Sequence, residues 1–197
     1  LVNDTCYSYA DNSAPNQAIG FGLLPGAMLV RYRAAVPASV VRVKAFISDQ
    51  ANNVGKQVRG VIYNSLQQQQ AVTGNITLQT TDRGKYLNME FNPSVSVLGD
   101  FYVGLVQLGD NDTAYFPLAV QKEGPPTRRL SYFTAISGGL GVGITEDTTK
   151  GCYMIQANII TGPVPVTIQQ FTAEKKDKYN LLSWKISQEI NVVHYIL

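Results

Sequence analysis

The stretch from Gly99 to Leu108 constrains this chain more than any other. Gly99-Asp100 is a turn signal. Phe101-Tyr102-Val103-Gly104-Leu105-Val106 follows it without a charged residue. An apolar run of that length between turn signals reads as a strand covered on both faces. It needs strands beside it and packed side chains above and below it.

Such strands are legible on either side. Met28, Val30 and Tyr32 alternate with Leu29, Arg31 and Arg33, which predicts a half-buried strand with both arginines on the wet face. The outward charge suits a sheet edge. Pro37 punctuates, and Val41, Val43, Ala45 and Ile47 then alternate with Arg42 and Lys44 in a second strand. Val58–Asn64 is a third, with Gly60 read as a bulge. Gln67–Gln70 reads as a polar hairpin connection. Further strands are expected at Cys6–Tyr9, Ala71–Leu78, Tyr86–Phe91, Ala114–Val120, Arg129–Ala135 and Cys152–Ile159. Gly, Asn, Asp and Pro clusters separate them, and no helical period competes. The expectation is an all-β fold, an antiparallel jelly-roll-like β-sandwich over residues 1–161.

Gly162-Pro163-Val164-Pro165 is a composition break. After it, Val166–Ala173, Leu181–Lys185 and Asn191–Leu197 read as three strands of an unfinished unit over residues 162–197. So short a set buries too little apolar surface to stand alone. Phe171, Leu182, Trp184 and Ile196 are therefore expected to pack on the main domain or on another copy. The chain begins at Leu1 rather than Met, which reads as a fragment or a processed form.

Composition excludes several partner classes. Twelve Lys/Arg stand against eleven Asp/Glu in residues 1–160, and four against three in the tail, so neither part carries the basic field that nucleic acid requires. No run approaches the length of an apolar membrane span. Cys6 and Cys152 are the two cysteines. In a secreted protein they invite a disulfide; in a cytosolic one they are two thiols.

Catalytic signatures are weak. His194 is the single histidine and has no nucleophile elbow near it. Zinc needs clustered His and Cys, which are absent. The glycine-rich Ser137–Gly143 lacks the Lys-Ser/Thr of a phosphate cradle. Asp110 and Asp112, with Asn111 between them, could offer oxygens to calcium, but they lack the glycine turn and distal Glu of an EF-hand loop. Asx-rich turns also arise because these residues bond their own backbone. No acid pair is singled out for glycoside hydrolysis.

Sugar binding by sandwiches uses tyrosine faces beside Asp or Asn. Among eleven tyrosines the candidates are Tyr7, Tyr9, Tyr63, Tyr102, Tyr115 and Tyr132. Tyr9 with Asp11, and Asp110, Asn111 and Asp112 with Tyr115, place a ring near acids in sequence and form the candidate ligand site.

Two resemblances bear on context. Pro165-Val166, Phe171, Ala173, Leu182, Trp184, Glu189-Ile190-Asn191 and Tyr195-Ile196 resemble the start of the fibronectin-type-III-like module of secreted Bacteroidetes proteins, which implies an incomplete immunoglobulin- or fibronectin-III-like set over residues 162–197. Tyr7, Tyr9, Asp11, Gly20, Gly22, Gly99, Phe101-Tyr102-Val103-Gly104 and Met154-Ile155 more loosely resemble the jelly-roll domain found upstream of such modules. The opening Tyr-Ser-Tyr-Ala-Asp and the final Gln156-Ala157 depart from that pattern. The resemblance implies export, as by the type IX secretion system, and an oxidised Cys6–Cys152 pair. It implies a non-catalytic, secreted or cell-surface accessory domain that binds a glycan or another surface protein. A hydrolase fragment and a ligand-free spacer are the competing expectations.

Overall fold

Two strands of more than twenty residues run the length of the main unit and hydrogen-bond to each other. They are β3, Gly26–Phe46, and β7, Tyr86–Gln107. Their antiparallel register runs from Gly26 opposite Gln107 to Phe46 opposite Tyr86. The computed structural model describes residues 3–123, 129–136, 143–161, 168–177 and 180–186.

In chain order the strands are β1 (Asn3–Ser8), β2 (Gln17–Ile19), β3, β4 (Gln57–Asn64), β5 (Gln69–Val72), β6 (Ile76–Thr77), β7, β8 (Leu118–Gln121), β9 (Tyr132–Ile136), β10 (Thr145–Glu146), β11 (Cys152–Tyr153), β12 (Ile155–Thr161), β13 (Ile168–Lys175) and β14 (Asn180–Ile186). The large sheet has the order β1-β12-β3-β7-β4-β5, with β9 on the first half of β3, β10 on β9, and β6 on β4. A small sheet, β11-β8-β2, lies over it. All pairings are antiparallel, as expected for this all-β chain.

The core fills the space between the sheets. Met28, Val30, Val43 and Ala45 of β3, and Met89, Phe101, Val103 and Leu105 of β7, point into it with Leu118, Val120 and Tyr153. The run that opened the sequence reading is covered on both faces. Tyr102 belongs to a second buried cluster, on the outer side of the large sheet, with Ala27, Leu29, Val61 and Phe133.

Several local expectations are corrected. The strands expected on either side of Pro37 are one strand. Its register shifts between Ala34 and Ala38 and again between Val40 and Arg42, and the first irregularity takes up the proline, which has no N–H to donate. Met28–Val30 is not an edge, because β9 and β7 flank it, while Arg31–Arg33 pair with β7. Tyr86–Phe91 and Phe101–Gln107 are likewise one strand. Gly60 is no bulge but a close contact, because a Cβ there would stand 2.6 Å from Val43 Cγ1. Cys152–Ile159 divides at Met154 into β11 and β12, which belong to different sheets.

The sulfurs of Cys6 and Cys152 are not bonded to each other, contrary to the expectation that export implied. Cys6 lies on exposed β1 opposite Asn158, whereas Cys152 is buried in the small sheet opposite Gln121.

β13 and β14 form a separate antiparallel hairpin with Phe171 opposite Trp184. Phe171, Leu181 and Leu182 are exposed on it. The expected third strand at 191–197, His194 and the 162–165 break lie outside the described residues, as does most of the glycine-rich loop.

Candidate functional site

The residues singled out in sequence do not converge. Tyr9 is half-buried, donates its hydroxyl to the Arg31 carbonyl at 3.0 Å, and packs 5.0 Å from the Tyr32 ring. Asp11 is exposed and closes an Asx turn, accepting from the Ser13 N–H at 2.7 Å and from Gln121 Nε2 at 3.1 Å. These bonds, led by the Ser13 hydroxyl, hold its carboxyl below the usual range. Tyr115 is fully buried; its hydroxyl donates to the Gln57 carbonyl at 2.8 Å and accepts from the Leu108 N–H at 3.2 Å. It is a core post and not a platform. Asp11 meets the far end of β8 at Gln121, while Tyr115 precedes its near end. The four-residue strand β8 lies between them.

Asp110 forms an ion pair with Lys56 at 2.8 Å through Oδ2. Its Oδ1 accepts from the Asp112 and Thr113 N–H groups, each at 2.9 Å. Lys56, followed by those two N–H groups, brings the carboxyl down to about 2. A calcium ion would have to displace the Lys56 ammonium, and the exposed Asn111 and Asp112 are tied to turn geometry. Among the described residues no three His, Cys, Asp or Glu side chains gather around one point.

A different place has the form of a binding site. The outer face of the large sheet carries a cleft of about 330 Å³. Strand alternation builds it. Ala135, Ala27, Val106 and Arg59 form one row across β9, β3, β7 and β4. Phe133, Leu29, Gly104 and Val61 form the next row, and Arg31, Tyr102, Tyr63 and Gln69 continue it. The two alanines leave the first row shallow on one side, while Arg59 and Tyr63 rise on the other. Ile144 and Gln67 complete the lining, with the Ile144 N–H donating to Gln67 Oε1 at 3.3 Å. Gln67 takes φ +61 in the β4–β5 turn, which directs the chain back toward the cleft.

Beside the cleft, on the same face of the sheet, two buried rings pack together. Tyr102 and Phe133 meet edge to face at 5.1 Å, and the Arg31 guanidinium stands 5.5 Å over the Phe133 ring. Burial pushes the Tyr63 phenol up, and the positive charge of Arg59 pulls it the other way. Arg59 is the one charged residue of the lining among the described residues. Tyr63 and Tyr102 were visible as sugar-binding candidates; Arg59, Gln67, Gln69 and Phe133 were not. The available signal was a lone charge inside Val58–Ile62, which marks a side chain pinned to an otherwise apolar strand.

No protein-family model and no curated protein matches the chain. Solved structures do. One contains the cysteine protease and lectin-like domains of Cwp84, a surface layer associated protein of Clostridium difficile, at TM-score 0.50 and 12% identity, covering 70% of this chain and 32% of that one. Another is the clostridial cysteine protease Cwp84 after propeptide cleavage, at TM-score 0.54 and 12% identity, covering 81% of this chain and 40% of that one. This chain therefore spans well under half the length of the structures it matches, and the likeness is one of fold. Among the described residues no helix is long and apolar enough to cross a membrane.

Proposed function

We propose that this chain is a non-catalytic accessory domain of an exported or cell-surface protein, and that it binds carbohydrate in the cleft on the outer face of the large sheet. The cleft itself carries the reading. Its lining is apolar at Ala27, Val106, Leu108, Ala135 and Ile144, its wall offers the Tyr63 face, and Arg59, Gln67 and Gln69 supply hydrogen bonds to hydroxyls. A preformed apolar recess with a few convergent polar groups is the ordinary form of a small-ligand site. The lectin-like and surface-layer descriptions of the structural neighbours agree with it. Export by the type IX route and the jelly-roll and fibronectin-III-like resemblances remain parts of this proposal.

Glycoside hydrolysis would need two carboxylates facing each other, and among the described residues the lining of the cleft includes none. The test is a glycan array probed with the full chain, with Tyr63→Ala as control. Binding that falls about tenfold in the variant is expected, the size of a lost ring contact. A blank array for the wild-type chain would make it a spacer.

A further inference from the structure

We propose that the cleft selects acidic saccharides, with Arg59 of β4 receiving the sugar's anionic group. This rests on the carbohydrate reading above and names the class of sugar.

The described arginines show why Arg59 stands apart. Arg33 pairs with Asp100, Arg42 with Glu90 and Arg83 with Asp49, and Arg31 lies over the Phe133 ring. Arg59 makes no ion pair and no side-chain hydrogen bond with any described residue. Its Nε is buried without an acceptor. Holding a guanidinium half-buried on an apolar sheet face costs solvation that none of the described residues returns. An anion in the cleft would return it. Among the described residues the lining contains no carboxylate that could compete for the guanidinium.

The geometry suits a sugar acid. With Nε enclosed against the sheet, the two terminal nitrogens are the donors left to a ligand, and together they match a carboxylate side by side. Tyr63, two strand repeats along the same face of β4, supplies a ring on which the sugar can stack. Gln67 and Gln69 reach the cleft from the adjoining hairpin and offer both donors and acceptors to hydroxyls. Ala27 and Ala135 keep the opposite side open. The volume lies at the low end for ligand sites, which favours a terminal sugar over the side of a polymer.

A carboxylate and a sulfate share this chemistry, so the experiment separates them. The full chain is titrated by calorimetry with trigalacturonate, with a sulfated galactose trisaccharide and with neutral galactotriose. The expected result is that an acidic trisaccharide binds at least about tenfold more tightly than the neutral one, with the planar carboxylate favoured over sulfate. Arg59→Gln should remove that difference, weakening acidic binding far more than neutral binding, while Arg59→Lys restores part of it. Raising the salt concentration should weaken acidic binding alone, a readout that needs no variant. Equal affinities for acidic and neutral sugars, both abolished by Tyr63→Ala and neither by Arg59→Gln, would overturn this inference and leave the carbohydrate reading standing. Sulfate bound more tightly than carboxylate would overturn the carboxylate preference while keeping Arg59 as the anion receptor. No binding of any saccharide by the wild-type chain would overturn both.

Discussion

Gln107 donates its amide Nε2 to the Gly22 carbonyl at 2.7 Å, and its Oε1 accepts the Phe21 N–H at 3.0 Å. The side chain is fully buried at the end of β7, so one amide ties the β2–β3 loop to the longest strand. Gln107→Leu keeps the bulk and removes both bonds. The Gly22 carbonyl still receives the Tyr115 N–H at 3.3 Å, but the Phe21 N–H loses its partner. The expected loss is about 1–3 kcal/mol of stability, read from urea denaturation. An unchanged midpoint would mean that water replaces the amide.

Gly104 lies near the end of β7, between Leu29 of β3 and Val61 of β4. A Cβ there would stand 2.0 Å from the Met28 carbonyl oxygen and 2.8 Å from Leu29 Cδ2. Backbone cannot yield as a flexible side chain can. Gly104→Ala should therefore cost about 3 kcal/mol or more, at or beyond the usual range for overpacking. Gly74→Ala, which meets nothing within 4 Å, is the control and should be nearly neutral. Equal melting temperatures for the two variants would contradict the packing described.

The Lys56–Asp110 pair predicts an acid-dependent contribution to stability. The folded carboxyl lies at about 2, chiefly through Lys56, below its ordinary value. A group whose folded pKa is depressed stabilises the fold above its unfolded pKa of about 4, and that contribution disappears as pH falls toward 2. Asp110→Asn keeps an acceptor for the turn N–H groups and removes the charge. Its urea midpoints should fall less steeply than wild type between about pH 4 and pH 2. Parallel curves would show that the pair contributes nothing.

The main sheet predicts where the chain can be cut. β12 ends at Thr161 and pairs with β1 on one side and β3 on the other, so the described strands of this unit finish there. Residues 1–161 expressed alone should fold with a melting temperature within a few degrees of the full chain. A truncated protein lacking cooperative unfolding would place part of its core in the hairpin of β13 and β14.

Local pattern determined the strand content. Alternation at Val43–Ile47, the apolar run at Phe101–Val106 and the Asx-rich turn at Asp110 are read correctly from neighbours in sequence, because each rests on contacts within a few residues, whereas at the register shift Val40 takes the core position expected of Val41. Whether Pro37 ends a strand depends on whether the partner strand can absorb a shifted register, and that partner lies some sixty residues away at Val97. The sites divide in the same way. Tyr115 and Asp110 are near in sequence and suggest a binding pair, yet one is buried under Gln57 and the other is held by Lys56. The cleft draws Arg59, Ala27, Val106 and Ala135 from four strands into one row. Pairing order and register decide that row. They are fixed by how the whole sheet buries its inner face, so no single stretch of the chain encodes them.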